Sequence, residues 1–201
     1  IAMRSTFLGA SINDINNFLI ITGDPIPVMA RQVVKSVFNF DSVGLMRIAD
    51  EMNSEALKDS PLTYGGAINQ SRRRIESEIK RVQKKMEAGA EFFLTQPVFT
   101  AEDAERLRRV KEETGARILC GIMPLVSRKN ALFMKNEISG VNVTDEVIER
   151  YPETADREDG ENVGVELAKE MIAATRDFAD GYYFSFPFNR TYLLKRIIEE
   201  L

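Results

Sequence analysis

Five short apolar segments that alternate with amphipathic helices are the feature that most constrains the fold of this chain. The first, "FLIITGDPIP" at 18–27, begins with four consecutive apolar residues and turns polar just before its prolines. Strands that are apolar on successive residues are typical of parallel sheets covered on both faces. Regular alternation of helix and strand indicates parallel βα units, so the sequence predicts an α/β fold.

The other predicted strands have the same form, an apolar run followed by small or polar residues. They are placed at 63–69, at 91–96, at 117–124 and within "GYYFSFPFNR" at 181–190. With the strand at 18–21, these segments give five predicted strands, four of which end in polar side chains.

Helix signals lie between the predicted strands. Asp41 or Ser42 is expected to cap one helix, and Thr100 is expected to open another that Gly115 closes. Further helices are predicted near 71–90, 127–137, 144–151, 161–179 and 191–201. The acidic segment "YPETADREDGENVG" at 151–164 contains few apolar residues, which predicts a surface loop.

Two architectures compete for this pattern. A doubly wound sheet usually carries a glycine-rich phosphate loop such as GxGxxG directly after a strand, and none occurs here. A (β/α)8 barrel places its chemistry at the carboxyl ends of its strands and takes about 250 residues. The chain has 201 residues and opens in a segment that reads as a helix already in progress. We therefore predict a (β/α)8 TIM barrel truncated to about its last five strands, forming a single domain over residues 1–201.

Composition excludes several classes of function. The net charge is -4, and the Lys/Arg-rich stretches are interleaved with acids or apolar residues, so nucleic acid is not an expected partner. The absence of histidine excludes Ser-His-Asp catalysis and histidine-based zinc sites, and no metal is expected. The single cysteine, Cys120, fits a reducing cytosol. No apolar run approaches the roughly 20 residues that span a bilayer, and no signal peptide is visible, so we expect a cytoplasmic protein without membrane partners.

The polar residues at the strand ends indicate a site for a planar ring. They comprise one carboxylate, two carboxamides and one guanidinium: Asp24, Asn69, Gln96 and Arg190. Carboxamides both donate and accept hydrogen bonds, which suits the edge of a pterin or flavin, and an arginine fork suits a carboxylate. Neither an activated nucleophile nor a cluster of carboxylates accompanies them, so a hydrolytic site is not expected.

Several segments resemble the 5,10-methylenetetrahydrofolate reductases, a family of flavin-dependent (β/α)8 barrels. They are "ITGDP" (21–25), "SVFNFDS" (36–42), "GGAIN" (65–69), "KKMEAGAEFFLTQPVF" (84–99), "GIMPLVSRKNALFMKNEISG" (121–140) and "FPFNR" (186–190). The succession of "AGAEFFLTQP" and "GIMPL" is specific to the family. "GGAINQ" at 65–70 stands where many members have a Tyr-Pro-Glu-x-His-Pro type segment. In this the chain is most similar to the reductase half of the bifunctional homocysteine S-methyltransferase/5,10-methylenetetrahydrofolate reductases.

The resemblance implies FAD-dependent reduction of 5,10-methylenetetrahydrofolate to 5-methyltetrahydrofolate, in one-carbon metabolism and methionine synthesis. The reductant would be NAD(P)H or a protein electron carrier. The residues implied to be catalytic are Asp24, beside the flavin and folate rings, and Gln96, which would bond the pterin; Arg190 would face the far end of the folate. The implied FAD contacts are Ile21, Thr22, Gly23, Asp24, Gly65, Ala67, Asn69, Lys84 and Lys85.

Other interpretations of the sequence remain open. The family's catalytic glutamate lies on the first barrel strand, which we do not find, so this chain is expected to be inactive alone. Two alternatives to the reductase are a non-catalytic truncated barrel fragment that acts by protein association, and another (β/α)8 enzyme such as a folate-dependent methyltransferase. An open sheet edge predicts a homo-oligomer or association with a missing N-terminal part. Structurally, Asp24 could be a turn acid, Lys84 and Lys85 a solvated helix face, and Arg190 the partner of an acid on the closing helix.

Overall fold

The computed structural model describes residues 1–23, 33, 40–153 and 156–199, and these ranges contain eight α-helices and five strands. The strands are β1 (Asn17–Leu19), β2 (Thr63–Ile68), β3 (Phe92–Pro97), β4 (Ile118–Ile122) and β5 (Gly181–Phe184). The helices are α1 (Ala2–Ile12), α2 (Ser42–Ser54), α3 (Ile75–Glu87), α4 (Ala101–Thr114), α5 (Arg128–Glu137), α6 (Asp145–Glu149), α7 (Arg157–Thr175) and α8 (Leu193–Ile198). A 3-10 turn at Pro187–Asn189 precedes α8. No helix of the described ranges is both long and apolar enough to cross a bilayer.

The strands follow chain order in the sheet, β1-β2-β3-β4-β5. Parallel pairing joins β1 to β2, β3 to β4, and β4 to β5. Each predicted strand overlaps an observed one, so the predicted α/β fold with a parallel sheet is confirmed. Truncation of a complete barrel stays a prediction.

The chain forms two compact units. The first comprises residues 1–67 and 81–92, and the second comprises residues 68–80 and 93–201. In the first, the apolar face of α2 is buried, and the Tyr64 hydroxyl donates to the Ala88 carbonyl at 2.9 Å. Burial raises the pKa of Tyr64 to about 12. In the second, the side chains of Leu107, Val110 and Ile118 are completely buried. Cys120 is also completely buried there, and burial raises the pKa of its thiol to about 12.

Three local capping signals position two helices as predicted. The side chain of Asp41 accepts from the amide of Gly44 at the start of α2. At α4, the hydroxyl of Thr100 accepts from the amide of Asp103, and Gly115 ends the helix with a left-handed φ of 68°. Each cap satisfies backbone groups that the helix itself leaves unpaired.

The predicted surface loop at 151–164 is wrong over most of its length. Helix α7 already begins at Arg157, where the Asp156 side chain accepts from the amide of Asp159. Gly160 and Gly164 let this helix approach a neighbouring backbone. A Cβ at these positions would lie 2.4 Å from the Val126 carbonyl and 1.9 Å from the Leu125 carbonyl. The acidic, apolar-poor segment is therefore in large part a helix, and its two glycines are packing residues.

Candidate functional site

The carboxyl ends of three parallel strands gather the candidate residues of the second unit. Because β3, β4 and β5 run parallel, their carboxyl ends lie at one edge of the sheet. Gln96 is the second-last residue of β3, and Arg190 lies after the end of β5. In parallel α/β folds this edge is where ligands bind.

Strand β3 contains a bulge at its carboxyl end. Leu94 pairs with Leu119, but Pro97 pairs with Gly121, so β3 has one residue more than β4 over this interval. Side chains bond the backbone here: the amide of Gly121 donates to the Thr95 hydroxyl at 2.9 Å, and the Tyr183 hydroxyl donates to the Thr95 carbonyl at 2.5 Å. Bulges of this kind redirect side chains next to active sites.

Gln96 is half-buried, and its side-chain amide makes no hydrogen bond with the residues that the structure describes. Its backbone is held by the completely buried Gln70. The Gln70 amide nitrogen donates to the carbonyls of Gln96 and Pro97 at 3.0 and 3.2 Å, and the Gln96 amide donates to the Gln70 side-chain oxygen at 3.2 Å. Gln96 thus combines a fixed backbone with an uncommitted carboxamide.

Asn69 has the contacts of a turn residue. Its side-chain oxygen accepts from the backbone amide of Ser71 at 3.0 Å, and its own backbone amide donates to the Glu78 carboxylate at 3.0 Å. Gly140, with a left-handed φ of 83°, approaches the Asn69 side-chain nitrogen so closely that a Cβ would lie 2.9 Å from it. These contacts fix the turn after β2, and the implied contact of Asn69 with FAD stays a prediction.

Arg190 is engaged with an acid, but that acid lies on α7 and not on the closing helix α8. Its guanidinium donates to Glu161 at 2.8 Å, and Glu161 also accepts from the Arg157 side chain at 2.9 Å and the Tyr192 hydroxyl at 2.5 Å. Burial alone would raise the pKa of Glu161, but the hydrogen bonds from Tyr192 and Arg157 and the charges of Arg157 and Arg190 lower it overall. Glu161 is therefore held as an anion.

The segment that leads to Arg190 has an unusual backbone. Phe188 and Asn189 have left-handed φ values of 56° and 57°, and the Phe188 side chain is 72% exposed. The Arg190 guanidinium lies 5.6 Å from the centre of the Phe188 ring. Left-handed backbone is strained for a phenylalanine, and such strain concentrates at functional sites.

In the first unit, Ile20 directly follows β1 and is buried, whereas residues 21–23 are exposed or half-buried. Ile21 and Gly23 are exposed, and Gly23 has a left-handed φ of 78°. The hydroxyl of Thr22 accepts from the amide of Ser42 at 2.9 Å, which leaves its hydrogen free to be donated. Asp24, predicted to be catalytic, lies outside the described residues.

Of the remaining residues implied to contact FAD, some have contacts within the protein and others are exposed to solvent. A Cβ on Gly65 would lie 2.4 Å from the Phe92 carbonyl, so close strand packing requires this glycine. Lys85 is 4% exposed and donates from Nζ to the Ala67 carbonyl at 2.5 Å. Lys84, its neighbour in the last turn of α3, is exposed. Lys84 is therefore the better placed of the two lysines to meet a ligand.

Sequence reasoning missed the residues that support these side chains. The structure adds Gln70, Thr95, Tyr183 and Glu161. Gln70 is the last residue of "GGAINQ", so its place directly after a strand was an available signal. Tyr183 bonds Thr95, and Arg190 and Tyr192 bond Glu161, across 88, 29 and 31 positions of sequence, so no local pattern indicates these contacts.

Comparison with known proteins places the chain in a family. A family model described as methylenetetrahydrofolate reductase matches residues 4–201. No curated protein matches the chain. Among solved structures, an uncharacterized protein from Clostridium thermocellum, which binds two copies of 5-methyl-5,6,7,8-tetrahydrofolic acid, is similar with a TM-score of 0.60 and 16% sequence identity. The match covers 98% of this chain and 78% of that one, and at this identity it shows a shared fold. From the match over residues 4–201, the chain belongs to the methylenetetrahydrofolate reductase family.

Proposed function

We propose that this chain provides the folate- and flavin-binding residues of an enzyme that reduces 5,10-methylenetetrahydrofolate to 5-methyltetrahydrofolate with FAD. The family match over residues 4–201 carries the proposal. The uncommitted carboxamide of Gln96 at the carboxyl end of β3 supports it. The solved relative that binds methyltetrahydrofolate is consistent with a folate ligand for this fold.

Gln96 and Arg190 are the proposed folate contacts. A carboxamide presents a donor and an acceptor side by side, which matches the alternating donors and acceptors on a pterin edge. Gln96 would hold the pterin while the reaction proceeds and so counts as catalytic. The guanidinium nitrogens of Arg190 that do not bond Glu161 remain to meet an anionic group of the folate.

The residues proposed to hold FAD fit that group in part. Thr22 offers a hydroxyl hydrogen, Gly23 an exposed backbone and Lys84 an exposed ammonium, which suit ribityl or phosphate oxygens. When bound, FAD would supply the hydride that reduces the folate. Asp24 is proposed to stabilise positive charge as it develops on the folate. The other proposed contacts are Ile21, Gly65, Ala67, Asn69 and Lys85. NAD(P)H or a protein carrier would be the reductant, in the cytoplasm.

Titration of the purified chain tests both ligands. We expect 5-methyltetrahydrofolate to bind with measurable heat in calorimetry, and FAD to bind with a change in its fluorescence. Gln96→Leu should weaken folate binding alone, and Lys84→Met should weaken FAD binding alone. A chain that is folded by circular dichroism but binds neither ligand would contradict the proposed function.

A second candidate is a folate-binding barrel protein without flavin, such as a folate-dependent methyltransferase. One observation favours it: two of the residues implied to contact FAD already have contacts within the protein. Gly65 packs against Phe92, and Lys85 bonds the Ala67 carbonyl. In the same titrations this candidate predicts folate binding together with no FAD binding.

A further inference from the structure

The bulge in β3 and the buried side chain of Gln70 together determine how Gln96 is oriented. We propose that Gln70 is a positioning residue: its carboxamide holds the bulged backbone and thereby sets the direction of the Gln96 side chain toward folate. This inference rests on the proposed function only in naming folate as the ligand of Gln96.

The bulge creates the need for such a residue. One extra residue between Leu94 and Pro97 interrupts the regular ladder with β4. Backbone groups at a bulge lose their usual partners in the ladder, and an unpaired buried N–H or C=O is costly. Gln70 supplies partners for both: the Gln96 amide donates to it at 3.2 Å, and the Gln96 carbonyl accepts from it at 3.0 Å. The carbonyl also accepts from the Thr95 hydroxyl at 2.7 Å, so the amide is the group that depends most on Gln70.

Gln70 can hold the bulge because its own segment is fixed. The Arg106 guanidinium donates to the Gln70 carbonyl at 2.9 Å and to the Arg72 carbonyl at 2.7 Å. Glu78 accepts from the Asn69 amide at 3.0 Å and pairs with Arg72 at 2.9 Å. The turn after β2 is therefore a rigid support from which the Gln70 side chain reaches β3.

The chemistry requires a carboxamide at this position. Gln70 donates twice and accepts once, whereas a glutamate would place its carboxylate against the carbonyls of Gln96 and Pro97. A methionine has nearly the same length but bonds neither the amide nor the carbonyls. Methionine should release both the Gln96 amide and the two carbonyls, whereas glutamate keeps an acceptor for the amide and loses only the bonds to the carbonyls. Both substitutions leave the Gln96 side chain itself intact.

Asn53 provides a matched control. Its side-chain nitrogen donates to the Leu62 carbonyl at 2.8 Å, and the Leu62 amide donates to its side-chain oxygen at 2.7 Å. The same reciprocal clamp is thus present just before β2, at the amino end of a strand. Asn53→Leu removes a carboxamide clamp from a place where no folate contact is proposed.

The test combines hydrogen exchange with folate titration of Gln70→Met, Gln70→Glu, Asn53→Leu, Gln96→Leu and the double variant Gln70→Met/Gln96→Leu. In Gln70→Met we expect the Gln96 amide to exchange at least tenfold faster, and 5-methyltetrahydrofolate to bind roughly tenfold more weakly. Asn53→Leu should accelerate exchange at Leu62 and leave the folate affinity unchanged. The double variant should bind folate no more weakly than Gln96→Leu, because Gln70 acts through Gln96.

The outcomes separate the positioning role from the proposed function. Unchanged exchange of the Gln96 amide in Gln70→Met would overturn the positioning role of Gln70, whatever the folate affinity does. Fully additive losses in the double variant would overturn action through Gln96. If Gln96→Leu leaves folate binding intact, the proposed ligand of Gln96 is wrong, and the exchange data alone then decide whether Gln70 holds the bulge.

Discussion

Gln96 and Arg190 are both proposed to bind folate, but their side chains differ in the hydrogen bonds that they make within the protein. The Gln96 carboxamide bonds none of the described residues, and its backbone is fixed by Gln70. The Arg190 guanidinium instead bonds a buried carboxylate that two further side chains also bond. Gln96 therefore has its hydrogen bonds available for a ligand, whereas Arg190 has already used part of its capacity within the protein.

The difference teaches that residue type at a strand end is a weaker guide to function than the state of its hydrogen bonds. An engaged group contributes mainly to stability, because breaking its bond leaves a buried partner less satisfied. A free group contributes mainly to binding. Substitutions at the two positions should therefore affect different measurements.

The largest effect is expected from Arg190→Leu. Loss of one charged donor to Glu161 should lower the free energy of unfolding by about 2 kcal/mol, measured by urea denaturation. Arg196→Leu is the matched control, since Arg196 lies 3.9 Å from the same carboxylate and is more exposed, and it should cost under about 0.5 kcal/mol. A stable Arg190→Leu protein that binds folate poorly would reverse the comparison.

Gln96→Leu should show the opposite pattern. We expect the affinity for 5-methyltetrahydrofolate to fall about tenfold, which corresponds to about 1.4 kcal/mol, because neutral hydrogen bonds to the ligand are lost. The free energy of unfolding should change by less than about 0.5 kcal/mol, since the carboxamide has no partner in the described chain. A large loss of stability would show that Gln96 is engaged after all.

The two adjacent lysines extend the comparison with a smaller effect. Lys84→Met should weaken FAD binding by up to about fivefold, as expected for one exposed charge. Lys85→Met removes a buried bond to the Ala67 carbonyl, so it should lower the melting temperature and weaken FAD binding less than Lys84→Met does. Fluorescence titration with FAD and thermal melts distinguish the two; equal losses of affinity would place both ammonium groups at the cofactor.

The smallest expected effect is on the pH dependence of stability. The pKa of Glu161 is lowered in the folded protein, so this group stabilises the fold above its unfolded pKa and loses that contribution as the pH falls through the folded value. Wild type should therefore lose more stability between pH 7 and acid than Glu161→Gln does. The effect is small because burial opposes the bonds from Tyr192 and Arg157. Parallel urea curves for the two proteins at every pH would exclude this role.

The sequence predicts features that depend on neighbours along the chain. The caps at Asp41, Thr100 and Gly115 are local signals, and the structure confirms them. The strands follow from apolar runs. The start of α7 was missed because the acidic, apolar-poor composition of 151–164 suggested a loop, whereas Gly160 and Gly164 pack against a backbone distant in sequence.

The candidate site was less predictable because its decisive contacts join distant parts of the chain. Gln70 bonds residues 26 and 27 positions away, and Arg190 bonds an acid 29 positions away. Residue type identified Gln96 and Arg190 as polar groups at strand ends, but it could not show which was free. The relation to the bifunctional reductases, the role of Asp24 and the oligomeric state stay predictions.

The burial of Cys120 has a practical consequence for spectroscopy. It is the single cysteine of the chain, it is completely buried, and burial raises the pKa of its thiol to about 12. Because an exposed thiolate is the nucleophile that adds to a maleimide, the native protein should resist maleimide labelling. One cysteine introduced at an exposed position would therefore carry a fluorophore or spin label selectively, without removal of the native one.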